Sequence, residues 1–208
     1  MISDRPDLVR ELDVSRETFE RLEAYVALLM KWNSKINLVS SSNLDNVWIR
    51  HVLDSAQALD IAPTEATRWS DFGSGGGFPG AVVAIIAAEK RPHLQVTLVE
   101  SDQRKAAFLR TVARTVGIKM RVIATRIEAL EPLHADIVSA RALAPLRELL
   151  ALTKPHLTSG GAAIFLKGAG ASQEVEVALE TWRFDCEAFS SKTDADAVIL
   201  KIGGIERV

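Results

Sequence analysis

The chain has 208 residues, of which 48% are apolar and 25% charged, a composition typical of one globular domain. Its single cysteine excludes an intrachain disulfide and argues against a cysteine-based zinc site. The first segment is charged and carries no apolar signal sequence, so we expect a cytoplasmic protein. The longest apolar run, 78–88, is too short to span a bilayer, and we expect no membrane partner.

Apolar residues at helical spacing predict two helices in the first third of the chain. One covers about 16–32 behind Ser15, a residue type that caps helix N-termini, and the other covers about 44–59. Asn and Ser residues between them break the periodicity. These helices predict an N-terminal helical cap over residues 1–66.

From residue 67 the pattern changes to short apolar strands that alternate with helices. The predicted strands are RWSDFG, LQVTLVE, MRVIAT, ADIVSA, GAAIFLKG, CEAFSS and AVILKIG. Helices are predicted after Pro79 and at about 102–115, 145–154 and 172–181. This alternation predicts an α/β, Rossmann-like core over 67–208, with a mostly parallel seven-stranded sheet covered by helices on both faces. No stretch has the composition of a linker, so cap and core are expected to form one compact unit.

The stretch DFGSGGGFPG at 71–80 follows the first predicted strand, where open parallel sheets bind ligands. Glycines there let the backbone approach a ligand closely. The Walker pattern G-x-x-x-x-G-K-[ST] does not occur, which argues against nucleoside triphosphates. A dinucleotide fingerprint can be read in Gly75, Gly77 and Gly80, but Pro79 interrupts it. The Asp71 carboxylate disfavours a pyrophosphate and favours S-adenosylmethionine, which carries an ammonium and a sulfonium.

Two further segments fit an adenosine ligand. Glu100 ends the second strand, where an acid can accept both ribose hydroxyls; the alternative is an acid that stabilises the next helix N-terminus. TRIEAL, at 125–130, follows the third strand, and the backbone of Ile127 and Glu128 can meet an adenine edge there. A short surface helix is the alternative interpretation of TRIEAL.

Charge is distributed unevenly, although the formal net charge is only −2. Residues 103–126 contain no acid and seven basic side chains: Arg104, Lys105, Arg110, Arg114, Lys119, Arg121 and Arg126. A solvated helix surface and a surface that faces a polyanion both explain this run.

Several motifs resemble the RsmG (GidB) family of bacterial 16S ribosomal RNA guanine-N7 methyltransferases. They are LLMKWNSKINLVS (28–40), IRHVLDS (49–55), DFGSGGGFPG, TRIEAL, SARALAPL (139–146) and FLKG (165–168). The resemblance covers nearly the whole chain, and KWNxxxNL and RHxLDS are its specific parts. It implies a class I S-adenosylmethionine-dependent methyltransferase that modifies N7 of one guanine in the helix 18 decoding-region loop. The loop departs from many members at Ser74, Gly76 and Phe78, where Thr, Pro and Leu are common.

The resemblance places cofactor contacts on Gly73, Phe78, Ile127, Glu128 and Arg141. With the residues proposed above, the predicted cofactor site is Asp71, Gly73, Gly75, Phe78, Glu100, Ile127, Glu128 and Arg141. The predicted contacts to the RNA of the small ribosomal subunit are Lys31, Asn33, Arg50, His51 and Lys167. The alternatives are a turn or capping role for Asn33, a packed surface position for His51 and a solvated strand end for Lys167.

Methylation of guanine N7 makes modest demands on a protein, because N7 carries an in-plane lone pair and no proton. Arg141 is the predicted catalytic residue, orienting guanine through O6; the alternative is a salt bridge to Asp136 or Glu148. The lone Cys186 is predicted to be a small buried hydrophobe in a late strand, not a nucleophile. The histidines lack ligand spacing, so no metal is expected.

Two other functions stay open at this point. Gly75, Gly77 and Gly80 allow an NAD-dependent oxidoreductase, although no Tyr-x-x-x-Lys dyad is recognisable. A non-catalytic ribosome-assembly or RNA-binding factor with a vestigial cofactor loop is the other alternative.

Overall fold

The N-terminal part of the computed structural model, which describes residues 6–40 and 46–208, is helical. Helix α1 covers Pro6–Leu12 and α2 covers Arg16–Asn33; a π-helical segment, Trp48–Leu53, continues directly into α3, Asp54–Ile61. The Ser15 hydroxyl accepts a hydrogen bond from the Thr18 amide at 3.2 Å and caps α2. The start of the second predicted helix, at 44–45, lies outside the described residues.

A seven-stranded sheet forms the centre of the fold. Its strands are β1 (Arg68–Phe72), β2 (Gln95–Val99), β3 (Arg121–Ile123), β4 (Ala135–Arg141), β5 (Leu157–Lys167), β6 (Trp182–Ser190) and β7 (Val198–Arg207). Their spatial order is β3-β2-β1-β4-β5-β7-β6. The first five are parallel, whereas β7 runs antiparallel to both β5 and β6. The predicted Rossmann-like α/β fold is confirmed.

Helices cover the sheet, and apolar side chains fill the space on each face. The helices of this part are α4 (Gly80–Lys90), α5 (Gln103–Val116), α6 (Leu146–Thr153) and α7 (Ala171–Leu179), with 3₁₀ turns at Ile127–Ala129 and Lys154–His156. One core cluster joins the cap to α4 and α5 through buried side chains such as Phe19, Trp69 and Ile85. The other joins β4 and β5 to α6 and α7. Because cap residues share a core with α4, burial of apolar area fixes the cap on the sheet.

None of the helices among the described residues is long and apolar enough to cross a membrane.

Cys186 is exposed to solvent, so the prediction that it is a buried hydrophobe is wrong. It lies in β6, which is the outermost strand of the sheet, in a stretch where 185–188 are all exposed. A position on the outermost strand leaves one side of a residue open to solvent, and sequence pattern alone does not reveal which strand is outermost.

The order of the strands reverses between β1 and β4. The chain runs outward from β1 through β2 to β3, then crosses to β4 on the other side of β1. Phe72 at the end of β1 pairs in register with Ala140 near the end of β4. The glycine loop after β1 and Arg141 at the end of β4 therefore border the crevice in which such sheets bind ligands.

Candidate active site

The glycine loop between β1 and α4 is held by its own backbone. The Ser74 amide donates to the Val99 carbonyl at 3.1 Å, and the Gly77 amide donates to the Ser74 carbonyl at 2.6 Å. Gly73 adopts a φ of +62°, and an added Cβ there would lie 2.6 Å from Leu143 Cδ1. A side chain at this position would therefore be strained and would fill the space between two loops.

Asp71 lies beneath the loop and not on its surface. Its carboxylate is fully buried, and Oδ1 accepts the Ser139 hydroxyl at 2.7 Å. Oδ2 faces the Gly80 amide, but the contact falls short of hydrogen-bond geometry. Burial, only partly offset by these groups, raises the pKa of Asp71 to about 6. The buried carboxylate is therefore not positioned for the direct contact with a ligand that the sequence predicted.

Glu100 connects the glycine loop to α5. One carboxylate oxygen accepts the Gly75 amide at 2.8 Å, and the other accepts the Asp102 amide at 2.8 Å. The second bond stabilises the N-terminus of α5, which is the alternative role given above for Glu100. Each oxygen can accept a further bond, so the same carboxylate retains capacity for ribose hydroxyls.

A cleft of about 240 Å³ opens beside the loop. It brings together Gly73, Ile127 and Glu128 of the predicted cofactor site, with Ser101 and Leu143 also in its wall. Ile127 is buried and Glu128 exposed, on the 3₁₀ turn after β3. An apolar wall with a few polar groups, next to backbone that must be glycine, fits the adenosine part of S-adenosylmethionine.

A larger cleft, of about 860 Å³, lies at the opposite end of the sheet. It contains Arg68, Gln95 and Arg121, the first residues of β1, β2 and β3. Ligands of open α/β sheets bind at the carboxyl ends of the strands, so the position of the smaller cleft favours it as the predicted cofactor site.

Residues of the helical cap also hold the glycine loop in place. Tyr25, in α2, is fully buried and its hydroxyl donates to the Gly76 carbonyl at 2.6 Å. The ring of Phe78 contacts Tyr25 at 5.5 Å and stacks on His51 at 4.7 Å between centroids. Three aromatic rings thus fix the loop against the cap.

Tyr25→Phe is expected to lower the free energy of unfolding by about 1–2 kcal/mol, because the buried Gly76 carbonyl loses its partner. The loop also becomes freer, so we expect weaker binding of S-adenosylmethionine. Urea unfolding and calorimetric titration measure the two effects. A variant with unchanged affinity would show that this bond does not order the loop.

His51 is buried, in contrast to the surface position given above as the alternative. Neither ring nitrogen has a hydrogen-bond partner within residues 6–40 and 46–208. Burial, together with the charges of Arg141 and Arg50, lowers the pKa of His51 to about 4. The imidazole is therefore neutral at pH 7 and holds unused donor and acceptor capacity next to Arg141.

Asp71 and His51 contribute to stability with opposite pH dependence. The raised pKa of Asp71 stabilises the fold below its ordinary pKa of 3.8, and this contribution is lost as the pH rises through about 6. The lowered pKa of His51 stabilises the fold above 6.5, and this contribution is lost as the pH falls through about 4. Between pH 4 and 6 the two trends oppose each other.

Asp71→Asn should remove the contribution of Asp71 to the pH dependence of stability. Relative to the unchanged protein, the free energy of unfolding of the variant is expected to rise by about 2 kcal/mol between pH 4 and pH 6. Urea unfolding at several pH values measures this difference. Asp60→Asn, at an exposed carboxylate of α3, is the matched control. An equal pH dependence of the free energy of unfolding in the two variants would contradict the raised pKa of Asp71.

Arg141 pairs with the cap, not with the residues given as alternatives. Its Nη1 lies 3.3 Å from Asp54 Oδ2, and its Nη2 donates to the Arg50 carbonyl at 2.7 Å. The alternative of a salt bridge to Asp136 or Glu148 is wrong: Asp136 accepts hydrogen bonds from the backbone at residues 67 and 68, and Glu148 lines the cofactor cleft.

Asp54 anchors this arrangement. It is buried, and its Oδ1 accepts the hydroxyls of Ser191 at 2.7 Å and Thr193 at 2.6 Å. These hydroxyls come from the loop between β6 and β7, 137 and 139 residues further along the chain. Such separations leave no local pattern, which is why sequence reasoning did not pair Asp54 with Arg141 or include the two hydroxyls in the site.

Two of the five predicted RNA contacts lie beside Arg141. Arg50 forms an ion pair with Asp194 at 2.6 Å, and Arg50, Arg141 and Lys167 line one pocket of about 120 Å³. Lys167 is itself held by Glu174 at 2.7 Å and by the Ala144 carbonyl at 2.9 Å. It is therefore fixed in place and is not a solvated strand end.

The other predicted RNA contacts occupy different positions. His51 stacks on the glycine loop, as described. The Asn33 side chain accepts the amides of Leu38 and Val39 at 2.8 and 2.9 Å, which is the turn role given as its alternative. Lys31 is exposed near the end of α2 and lines none of the clefts described here.

Comparison with known proteins agrees with this geometry. The GidB family, described as rRNA small subunit methyltransferase G, matches residues 18–197. A Ribosomal RNA small subunit methyltransferase G from Ruegeria sp. (strain TM1040) is 53% identical, over 95% of this chain and 96% of the relative. One of the same name from Cereibacter sphaeroides (strain ATCC 17029 / ATH 2.4.9) is 49% identical, over 97% and 98%.

Solved structures show the same fold at low sequence identity. TYW2 from M. jannaschii, in complex with AdoMet, has a TM-score of 0.57 at 15% identity and covers 84% of this chain and 80% of its own. Cofactor-bound Rv0187 from MTB has a TM-score of 0.59 at 16% identity and covers 88% and 89%. The family match over most of the chain, with close relatives along nearly its full length, shows that the chain belongs to the GidB family and is an S-adenosylmethionine-dependent methyltransferase.

Proposed function

We propose that this protein transfers a methyl group from S-adenosylmethionine to N7 of one guanine in 16S ribosomal RNA, in the helix 18 loop of the small subunit. The rRNA substrate is supported by the names of the relatives. The choice of guanine N7 is supported by one observation: a fixed arginine and a neutral buried histidine lie at the mouth of the cofactor crevice. Since bacterial ribosomes are cytoplasmic, we place the protein in the cytoplasm.

Arg141 is suited to orient a guanine. Its two bonds to Asp54 and Arg50 occupy one side of the guanidinium and fix its plane. The remaining N–H groups can donate to guanine O6, which is adjacent to N7. When bound, S-adenosylmethionine supplies an electrophilic methyl group. The task of the protein is then to hold N7 in line at about 3–3.5 Å, and a fixed arginine serves that task.

The neutral state of the His51 ring also fits methylation at N7. Guanine becomes positively charged when N7 is methylated, and a charged imidazole nearby would oppose that change. The lowered pKa of His51 keeps its ring uncharged at pH 7. Both ring nitrogens of His51 are buried, so the neutral ring contributes through its stacking on Phe78 and not through contact with the base.

The chemistry requires no proton acceptor and no protein nucleophile. N7 has a free lone pair, so deprotonation is unnecessary. Cys186 lies in β6, at the sheet edge, four strands from β1. A cysteine mechanism of the kind that methylates pyrimidine carbon is therefore not supported by its position.

Transfer of labelled methyl groups tests the proposal. The purified protein is incubated with tritiated S-adenosylmethionine and with either 30S subunits or naked 16S rRNA from cells that lack it. We expect one N7-methylguanosine per rRNA, located in the helix 18 loop by reverse transcription after cleavage at the modified base. No incorporation into either substrate, or a methyl group on another atom, would overturn it.

The two rival functions give different results in the same set of experiments. Calorimetric titration should show binding of S-adenosylmethionine and none of NAD, whereas an oxidoreductase would bind NAD. A non-catalytic assembly factor would bind the subunit tightly but transfer no label.

A further inference from the structure

One edge of the sheet carries a continuous set of exposed cations. Five side chains, here called the basic edge, lie on α5, on β3 and in the segments on either side of β3. They are Arg110, Arg114, Lys119, Arg121 and Arg126, and all five are exposed. No acid interrupts the sequence between 103 and 126, although the whole chain has a net charge of −2.

Hydrogen bonds hold α5 against this edge. The Arg110 guanidinium donates to the Val122 carbonyl at 3.4 Å, and the Gln103 amide donates to the Ala124 carbonyl at 3.2 Å. Among the strands of the described residues β3 pairs only with β2, so its other side is the outer edge of this sheet. The charged groups of helix and strand are thus exposed together at this edge of the sheet.

Members of the basic edge line two of the clefts described above. Arg126 lines the cofactor cleft of about 240 Å³, and Lys119 and Arg121 line the cleft of about 860 Å³ at the amino ends of the strands. Arg21 and Arg68 lie in the wall of that second cleft, and its lining contains no acid. At about 3.3 Å per residue, the chain from Arg121 to Arg126 spans roughly 17 Å.

The charges of the basic edge are not neutralised within the protein. In the described ranges 6–40 and 46–208, none of its five members forms an ion pair, whereas Arg16, Arg21, Arg50 and Arg104 each do. Several exposed cations without ion-pair partners attract a polyanion. Contact with them releases the counterions of that polyanion. The exposed acid nearest in sequence is Glu128, beyond the end of the set.

We propose that the basic edge binds the phosphate backbone of the substrate RNA and guides one strand toward the cofactor cleft, an inference that rests on the proposed function. Phe108, the one aromatic residue in 103–126, is buried, so this surface offers no ring for stacking with bases. The basic edge therefore supplies affinity that does not depend on sequence, while the pocket at Arg141 selects the base.

A double substitution at the basic edge tests the proposal. Arg114→Gln/Arg121→Gln removes two cations that do not line the cofactor cleft. We expect binding of a 16S rRNA transcript, followed by fluorescence anisotropy, to weaken about tenfold at physiological salt. The slope of log K against log salt should decrease in magnitude by roughly 1.4, which corresponds to two lost phosphate contacts.

The matched control removes the same charge from the opposite edge of the sheet. Arg183 and Arg207 are exposed on β6 and β7, and Arg183→Gln/Arg207→Gln should leave the affinity and the salt slope nearly unchanged. Equal losses of rRNA affinity in the two double variants, or no loss in either, would overturn the proposal that the basic edge binds RNA. If the unchanged protein transfers methyl to 30S subunits, that outcome leaves the proposed function intact. If the unchanged protein neither binds nor methylates RNA, both proposals fail.

Calorimetric titration with S-adenosylmethionine checks the folded site in each variant. The affinity for the cofactor should stay the same in both, because neither pair of residues lines its cleft. An acidic protein bound by the basic edge in place of RNA would appear as unchanged rRNA affinity, and it would overturn the proposal.

Discussion

Arg141→Ala is expected to lower the rate of methyl transfer to 30S subunits by about 100-fold or more, while the protein stays folded. The guanidinium is the group at the mouth of the crevice whose plane is fixed by two partners, Asp54 and the Arg50 carbonyl. Its loss would leave the base free to rotate away from the in-line geometry. Single-turnover kinetics with labelled S-adenosylmethionine measure the effect.

The loss of stability should be moderate. Asp54 keeps the hydroxyls of Ser191 and Thr193 after Arg141 is removed, so the buried carboxylate is not left without donors. We expect a decrease of about 1–3 kcal/mol in the free energy of unfolding, measured in urea. Full activity of the folded variant would contradict the catalytic assignment.

Two further variants accompany Arg141→Ala. Asp54→Asn tests the anchor of Arg141, and Arg183→Ala is the control. Asp54→Asn should reduce the rate less than Arg141→Ala does, since it weakens the anchor but leaves the guanidinium in place. Arg183→Ala removes an exposed arginine far from the crevice, on β6, and should leave the rate unchanged.

Gly80→Ala is expected to destabilise the fold by about 3 kcal/mol or more. Gly80 begins α4, which packs directly on the sheet. An added Cβ would lie 2.4 Å from Leu98 Cδ2 and 2.6 Å from Asp71 Cβ, both on buried strands. The helix would have to move away from β1 and β2, and the glycine loop would move with it.

Gly160→Ala is the matched control, because an added Cβ there meets nothing within 4 Å. We expect its free energy of unfolding to stay within about 1 kcal/mol of the unchanged protein. Comparable stability of the Gly80 and Gly160 variants, by urea unfolding, would show that α4 can shift without loss.

The sequence was most informative where the pattern is local. Short apolar runs that alternate with helical stretches predicted every strand of the sheet and the helices between them, because parallel strands are buried on both faces. The glycine loop was recognisable since its backbone geometry and the close packing of α4 require glycine at several positions. The boundaries were less accurate: β5 begins at Leu157, ahead of the predicted 161, with a register shift opposite Ala135 to Ile137.

Contacts between distant segments were beyond sequence reasoning. The partner of Arg141 is 87 residues away, in the cap, and no spacing rule relates the two positions. The exposure of Cys186 depends on which strand is outermost, and that follows from the topology of the whole sheet. The π-helical turn at Trp48–Leu53 also follows from no helix or strand periodicity in the sequence.

The bonds from Ser191 and Thr193 to Asp54 connect the cap to the loop between the last two strands of the sheet. These two hydroxyls lie between β6 and β7, and β7, the latest strand in chain order, inserts between β5 and β6. Without the segment that follows β6, the sheet would have no strand between β5 and β6, and Asp54 would lack both hydroxyl donors. The contact of Arg141 with the cap therefore depends on a loop that lies more than 130 residues from Asp54 along the chain.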